Sequence, residues 1–279
     1  MPPNNQVQFE DKLILQQWLL KLLEVDDFSV LQEWLKDPDL EGFDTENISH
    51  FHHVLVTRLV NRKHIQKDDL LRYDGNIVRH WQQITEKRNL LEGRTLTLKY
   101  FQYLALLFTE IYLDRYFRDQ ETLLVEINET IEEYNFNKPD REKVEPFPAS
   151  ELNKIAFWMA TGSGKTLLMH CNLLQYQNYL KLHNQENTVN RTLLLTPNEG
   201  LSKQHLAEFE LSNIPATLFS KQSLGGFFKE NKIEIVDIHK LADEHGDKTV
   251  DVTAFEENNL VLVDEGHSGA SGDTWMRRR

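Results

Sequence analysis

Residues 154–177 read KIAFWMATGSGKTLLMHCNLLQYQ. An apolar run, Ile155–Met159, leads into Ala160-Thr161-Gly162-Ser163-Gly164-Lys165-Thr166, and Leu167, Leu168, Leu173 and Leu174 follow at helical spacing. Strand, glycine-rich loop and helix, in that order, is the context a phosphate-binding loop requires. Gly162 and Gly164 let the backbone turn so that successive amides face inward. Those amides and the helix start suit the phosphates of a triphosphate. In this reading Thr161, Gly162, Ser163 and Gly164 line the phosphates, Lys165 reaches the β- and γ-phosphates, and Thr166 holds Mg2+ through its hydroxyl. The usual pattern has a glycine five residues before Gly164, where this sequence has Met159.

Working outward, short apolar runs alternate with helical patterns: Thr192–Leu195, Ala216–Phe219, Ile233–Val236 and Leu260–Val263. Such alternation predicts parallel strands in an α/β layer. The last run ends in Asp264-Glu265-Gly266-His267, 99 residues after Lys165. An aspartate at the carboxyl end of a parallel strand lies where ligands bind such sheets. Asp264 is then a Mg2+ ligand, Glu265 a base for an attacking water and His267 a coupling residue. Thr192–Leu195 runs into Thr196-Pro197-Asn198 and the helical stretch EGLSKQHLAEF.

Upstream of residue 137 the pattern is helical throughout. The predicted helices are Phe9–Val25, Phe28–Leu35, Thr45–Val60 with Thr45 as its cap, Asn76–Leu91, Leu96–Phe117 and Glu121–Tyr134. His50, His52 and His53 cluster on one of them, but adjacent helical positions point different ways, and the reading does not assign them a metal. Residues 137–153, NKPDREKVEPFPASELN, hold three prolines and many charges, and read as a linker or insertion.

Composition narrows the classes. The 279 residues are 40% hydrophobic and 27% charged, which excludes wholesale disorder and leaves room for about two domains. The single cysteine, Cys171, excludes an internal disulfide and suits a reducing, cytoplasmic setting. No apolar run approaches the roughly 18 residues of a membrane helix, so no membrane partner is expected. The formal charge is −13: 18 basic and 27 acidic residues up to residue 150 (net −9), 13 and 17 after it (net −4). Such a chain is no general polyanion binder, though backbone amides and a few basic side chains can still grip nucleic acid locally.

MATGSGKT, LLLTPNEGLSKQ and LVLVDEGHSGASGDTW together resemble the first RecA-like lobe of a superfamily 2 DEAD/DEAH-type helicase. The nearest texture is the restriction-type branch, which includes the ATP-dependent subunits of type III restriction enzymes and related phage-defence helicases. The resemblance covers residues from about 96 to 275. It implies an α/β, RecA-like P-loop domain with a parallel sheet over 154–279, after an all-α N-terminal domain over 1–136 whose last part, from about 96, leads into the lobe. It implies ATP and Mg2+ as cofactors and DNA, single or double stranded, as partner. It makes Gln102, at the start of a helix, the reader of the adenine edge. It makes Thr196, Asn198, Ser202 and Lys203 contacts to the nucleic-acid backbone, with Ile233–Lys240 as a second such segment. It casts Lys165, Asp264, Glu265 and His267 as the catalytic set.

The sequence departs from that family at its end. It stops twelve residues after His267, at Arg277-Arg278-Arg279, without the Ser-Ala-Thr motif, second lobe, arginine fingers or nuclease domain of the family. The expectation is an ATP-binding part whose second RecA-like lobe, and nuclease or methyltransferase subunits, are supplied elsewhere, with slow turnover alone. The competing readings are a non-catalytic ATP-binding interaction fragment and a small-molecule P-loop kinase, the latter leaving DEGH and TPN unexplained.

Overall fold

The computed structural model describes residues 12–59, 63–220, 232–242, 250–251 and 258–264. They fall into two compact units, the first Met1–Trp81, Thr97–Leu168 and Leu174–Tyr179, the second Gln82–Leu96, Met169–Leu173 and Leu180–Arg279.

The first unit is built from helices: α1 (Ile14–Leu22), α2 (Phe28–Leu35), α3 (His50–Arg58), most of α4 (Lys67–Glu92), α5 (Tyr100–Arg118), α6 (Gln120–Asn135) and parts of α7 (Lys165–Leu182). Their apolar stripes meet, α1 on α6, α2 on α3 and α5, and α5 on α6. Trp18 is buried edge-on to Tyr112, with ring centroids 6.1 Å apart, and its indole N–H donates to Glu126 at 3.1 Å. Phe51 and Tyr103 lie 5.1 Å apart between α3 and α5.

Two boundaries differ from expectation for local reasons. α3 is capped by Ser49, whose hydroxyl accepts from the His52 amide, and not by Thr45. Asp44 takes the amides of Glu46 and Ile48 and holds residues 44–48 as a turn instead. α4 begins at Lys67, well before Asn76, and passes through Gly75. Leu70, Tyr73, Ile77 and Val78, on both sides of that glycine, are buried, which outweighs its cost of about 1 kcal/mol. The proline-rich stretch 137–153 makes two 3-10 turns, Asp140–Glu142 and Ala149–Glu151. It is tied down by Asn135 to Val144, Asn128 to Phe147, and the Tyr112 hydroxyl donating to the Leu152 carbonyl at 2.6 Å.

The second unit carries a four-stranded sheet in the order β2 (Ala216–Leu218), β3 (Ile233–Asp237), β1 (Thr192–Thr196), β6 (Leu260–Val263). All three pairings are parallel. α8 (Glu199–Leu211) packs on β1, β2 and β3. The strands β4 (Leu241–Ala242) and β5 (Val250–Asp251) form a separate parallel pair. Leu193, Leu194, Ile235 and Val236 are buried at the centre, as parallel strands covered on both faces should be. Cys171, on α7, is also buried.

Ile155–Met159 is not a strand, contrary to the sequence reading. It pairs with no described strand, and Ile155, Phe157 and Trp158 are 39, 41 and 77% exposed. An apolar run records that side chains favour burial, but a strand also needs a neighbour for its amides and carbonyls. Among the described strands β6 is an edge, with Val261 and Val263 exposed. Among the described residues no helix is long and apolar enough to cross a membrane.

Candidate functional site

The loop before α7 is built from two residues that only glycine fits easily. Gly162 has φ 79° and Gly164 φ 85°, both in the left-handed region. Ser163 N closes a turn on the Ala160 carbonyl at 3.2 Å, and the Gly164 carbonyl accepts the first helical bond, from Leu168 N at 3.1 Å. The chain thus enters α7 at Lys165, and the first amides of a helix have no carbonyl of their own helix to bind. Thr161 and Gly162 are exposed, Ser163 to Thr166 half-buried, and the Ser163 hydroxyl is buried without a partner among the described residues.

Gln102 is docked on this loop. It is buried at the start of α5, its Nε2 donates to the Ser163 carbonyl at 2.9 Å, and its Oε1 accepts from the Lys99 amide at 2.9 Å. A Cβ on Gly164 would stand 2.6 Å from Gln102 Nε2. The 61 residues that separate Gln102 from Ser163 in sequence are bridged by one side chain. The Gln102 side-chain amide keeps one further donor and one further acceptor direction.

In the second unit three strand ends line up. Thr196 closes β1, Asp237 closes β3 in register with it, and Asp264 follows β6. The Asp264 amide donates to the Leu195 carbonyl at 3.2 Å, which extends the ladder one step past Val263. Its carboxylate Oδ2 lies 2.8 Å from Nε2 of His205, on α8. The sequence reading did not single out His205. The available signal was its place with Ser202 and Phe209 on the buried stripe of α8, where a histidine needs a polar partner. Behind it His170, on α7, stacks on Phe209 at 4.2 Å and bonds the Ser212 hydroxyl through Nδ1 at 2.9 Å. Burial holds the His170 pKa down to about 3, so that ring is neutral.

The expected nucleic-acid contacts divide. Thr196 and Ser202 are buried and joined hydroxyl to hydroxyl at 2.6 Å, so they fasten α8 to β1 and do not face solvent. Asn198 and Lys203 are exposed. Asn198 caps α8 by accepting from Leu201 N at 2.9 Å, and Lys203 pairs with Glu199 one turn back at 2.9 Å. In the first unit His53 bonds Asp44 at 2.8 Å while His52 is buried. Among the described residues no group of three or more His, Cys, Asp or Glu is placed to hold a metal ion. Glu265 and His267 lie outside the described residues, as does part of Ile233–Lys240 at the side-chain level.

The family model described as type III restriction enzyme, res subunit, matches residues 115–277. No curated protein matches the chain, and no solved structure does.

Proposed function

The chain belongs to the type III restriction enzyme res-subunit family, a helicase-type ATPase family, and from that premise we propose that it is the ATP-binding part of a DNA helicase or translocase serving restriction or phage defence. One observation carries the reading furthest. The loop at 160–166 turns on two left-handed glycines into a helix start, and a buried glutamine from α5 is seated on it. That arrangement leaves no room for a Cβ at Gly164 and offers backbone amides to an anion.

In this reading the nucleotide is bound with Mg2+. The Thr166 hydroxyl and the Asp264 carboxylate are hard oxygen donors of the type Mg2+ takes. Bound Mg2+ would neutralise charge on the β- and γ-phosphates. In this reading Thr161, Gly162, Ser163 and Gly164 hold phosphate oxygens by their amides, and Lys165 adds a charge-assisted contact. Gln102 turns its remaining donor and acceptor to the adenine edge. Glu265 takes the proton of the attacking water, and His267 couples nucleotide state to the nucleic acid. DNA phosphates meet Asn198, Lys203 and the helix-start amides of α8, with Thr196 and Ser202 setting the loop's shape. A second lobe, and nuclease or methyltransferase subunits, complete the machine.

Calorimetry of ATP binding tests the first step. Lys165→Ala is expected to weaken ATP at least tenfold, and equal affinity in the two proteins would sink the ATP reading. DNA-stimulated phosphate release, lost on Glu265→Gln with ATP still bound, tests the second. ATP binding with no such release, even with a second lobe supplied, would favour a non-catalytic interaction role.

A further inference from the structure

We propose that Gln175 is a positioning residue for base recognition: it clamps α5 onto α7 so that Gln102 keeps its seat on the Ser163 carbonyl and presents the rest of its amide to the adenine. This role rests on the ATP reading above and adds to it a residue about three turns into α7.

Gln102, Leu106 and Glu110 stand four residues apart on α5 and so share one face of it. The first of them holds the loop, by its donation to Ser163 at 2.9 Å. The other two are held by Gln175. Its Nε2 donates to the Leu106 carbonyl at 2.9 Å and to Oε1 of Glu110 at 2.9 Å. Both N–H groups of one amide therefore grip α5, one on its backbone and one on a side chain. Glu110 is fixed from two further sides, by Asn76 of α4 and by the Tyr179 hydroxyl of α7, each at 3.0 Å. Asn76, Glu110, Gln175 and Tyr179 are buried, and they belong to the first unit together with Gln102 and Ser163. α7 runs unbroken from Lys165 to Leu182, so the loop that leads into it and the clamp upon it are joined by one helix.

Packing alone does not ask for an amide at this place. Phe117, near the end of α5, already lies against Tyr176 and Tyr179, with ring centroids 5.5 and 5.9 Å away. Such apolar contact is non-directional and lets a helix roll. Hydrogen bonds are less tolerant, since they weaken steeply with angle. Gln175 Oε1 is buried with no partner among the described residues, a penalty that an apolar side chain would avoid. What the amide adds in exchange is a fixed placing of α5 on α7. Gln102 needs that placing. Its Oε1 is tied to the Lys99 amide at the start of its own helix, while its Nε2 bond reaches the loop, so a roll of α5 shifts the whole amide against Ser163. A base is read by matching donor and acceptor at once, and a misplaced amide forfeits that match.

Calorimetry on the whole chain separates this role from plain stability. ATP, GTP and inorganic triphosphate, each with Mg2+, are titrated into wild type, Gln175→Met and Ile127→Val. Met keeps the side-chain length and removes both N–H groups. Ile127 is fully buried on α6, which gives no side chain to the clamp, so Ile127→Val disturbs the same unit without touching it. The expected result for Gln175→Met is a preference for ATP over GTP about tenfold smaller than in wild type, the worth of one hydrogen bond, with triphosphate affinity within about twofold. Ile127→Val should keep the wild-type preference within about twofold. An unchanged preference in Gln175→Met would overturn the proposal and leave the ATP reading intact. So would a loss shared equally by ATP, GTP and triphosphate, which is general loosening. Equal ATP and GTP affinity in wild type would overturn the proposal and the adenine role of Gln102, but not the phosphate loop. Failure of wild type to bind ATP or triphosphate would overturn the ATP reading and the proposal with it. Nitrogen-15 side-chain spectra of the wild type test the geometry without any variant. The Gln175 amide should exchange slowly with solvent, and ATP should shift the Gln102 amide in a way that GTP does not. Fast exchange at Gln175, or a Gln102 signal that responds alike to both nucleotides, would overturn the assignment.

Discussion

A methyl group on Gly164 would meet Gln102 Nε2 at 2.6 Å, in a backbone conformation that L-residues rarely adopt. Gly164→Ala should therefore either unseat Gln102 or flatten the loop, and both outcomes displace the amides proposed to hold phosphate. We expect ATP affinity to drop at least tenfold and stability to fall by about 1–2 kcal/mol, read by calorimetry and urea unfolding. Gly162 has the same handedness but open space around it, so Gly162→Ala should cost less stability, about 1 kcal/mol. At this scale the sequence spoke clearly where chemistry restricts residue type. The turning glycines Gly162 and Gly164 could be read from type and order alone, and both take the left-handed backbone. The seat of Gln102 on Ser163 needed 61 residues of chain to fold back, and no local spacing records that. The resemblance made Thr196 and Ser202 contacts to the nucleic-acid backbone, whereas here the two bond each other and are buried beneath the helix. His205 was passed over because a histidine within a charged helix looks like part of its solvated face.

Among elements, α8 shows how a short polar signal sets the position of a whole helix. Asn198 takes the Leu201 amide at its start, and Ser202 ties its first turn to β1. Asn198→Ala is expected to lower stability by about 1 kcal/mol. The loss should be local, with amide exchange speeding first at residues 199–203 and last in β1. Uniform acceleration across the sheet would show that the cap is not acting on the helix start. The strands at 192, 216, 233 and 260 were legible because continuous β-branched and leucine runs bounded by turns mark buried parallel strands. Ile155–Met159 carries the same texture and is no strand, since pairing is a property of two segments and a one-dimensional pattern shows one at a time. Helix ends drifted by several residues at α3 and α4, where Ser49 and the burial around Gly75 overrode local preference.

Across the molecule, two buried groups, Glu110 and His170, contribute to the response to pH. Glu110 is fully buried and accepts from Asn76, Gln175 and the Tyr179 hydroxyl. Burial pushes its pKa up to about 7, against the pull of those three hydrogen bonds. The folded state thus keeps a proton that the unfolded state releases near 4.5, so this contribution to stability is complete below that pH and is lost as pH rises through about 7. Urea unfolding of wild type and Glu110→Gln should diverge by about 3 kcal/mol between pH 4 and 8, the variant gaining on wild type as pH rises. A constant difference would show that folding leaves the Glu110 pKa where the unfolded chain has it. His170 acts with the opposite sign, its contribution present above the ordinary histidine pKa of 6.5 and lost as pH falls toward about 3. None of this was visible in the sequence, where Glu110 is one of many acidic residues on helices and its burial depends on partners from α4 and α7. The buried Cys171 has a practical consequence of its own. With no second thiol in the chain, a colourless disulfide reagent that turns yellow on reaction has one target, and that target is inside. The native protein should stay colourless until α7 lifts away from its surroundings, so the speed at which colour appears becomes a clock for the breathing of this helix, and bound ATP should make that clock run slow.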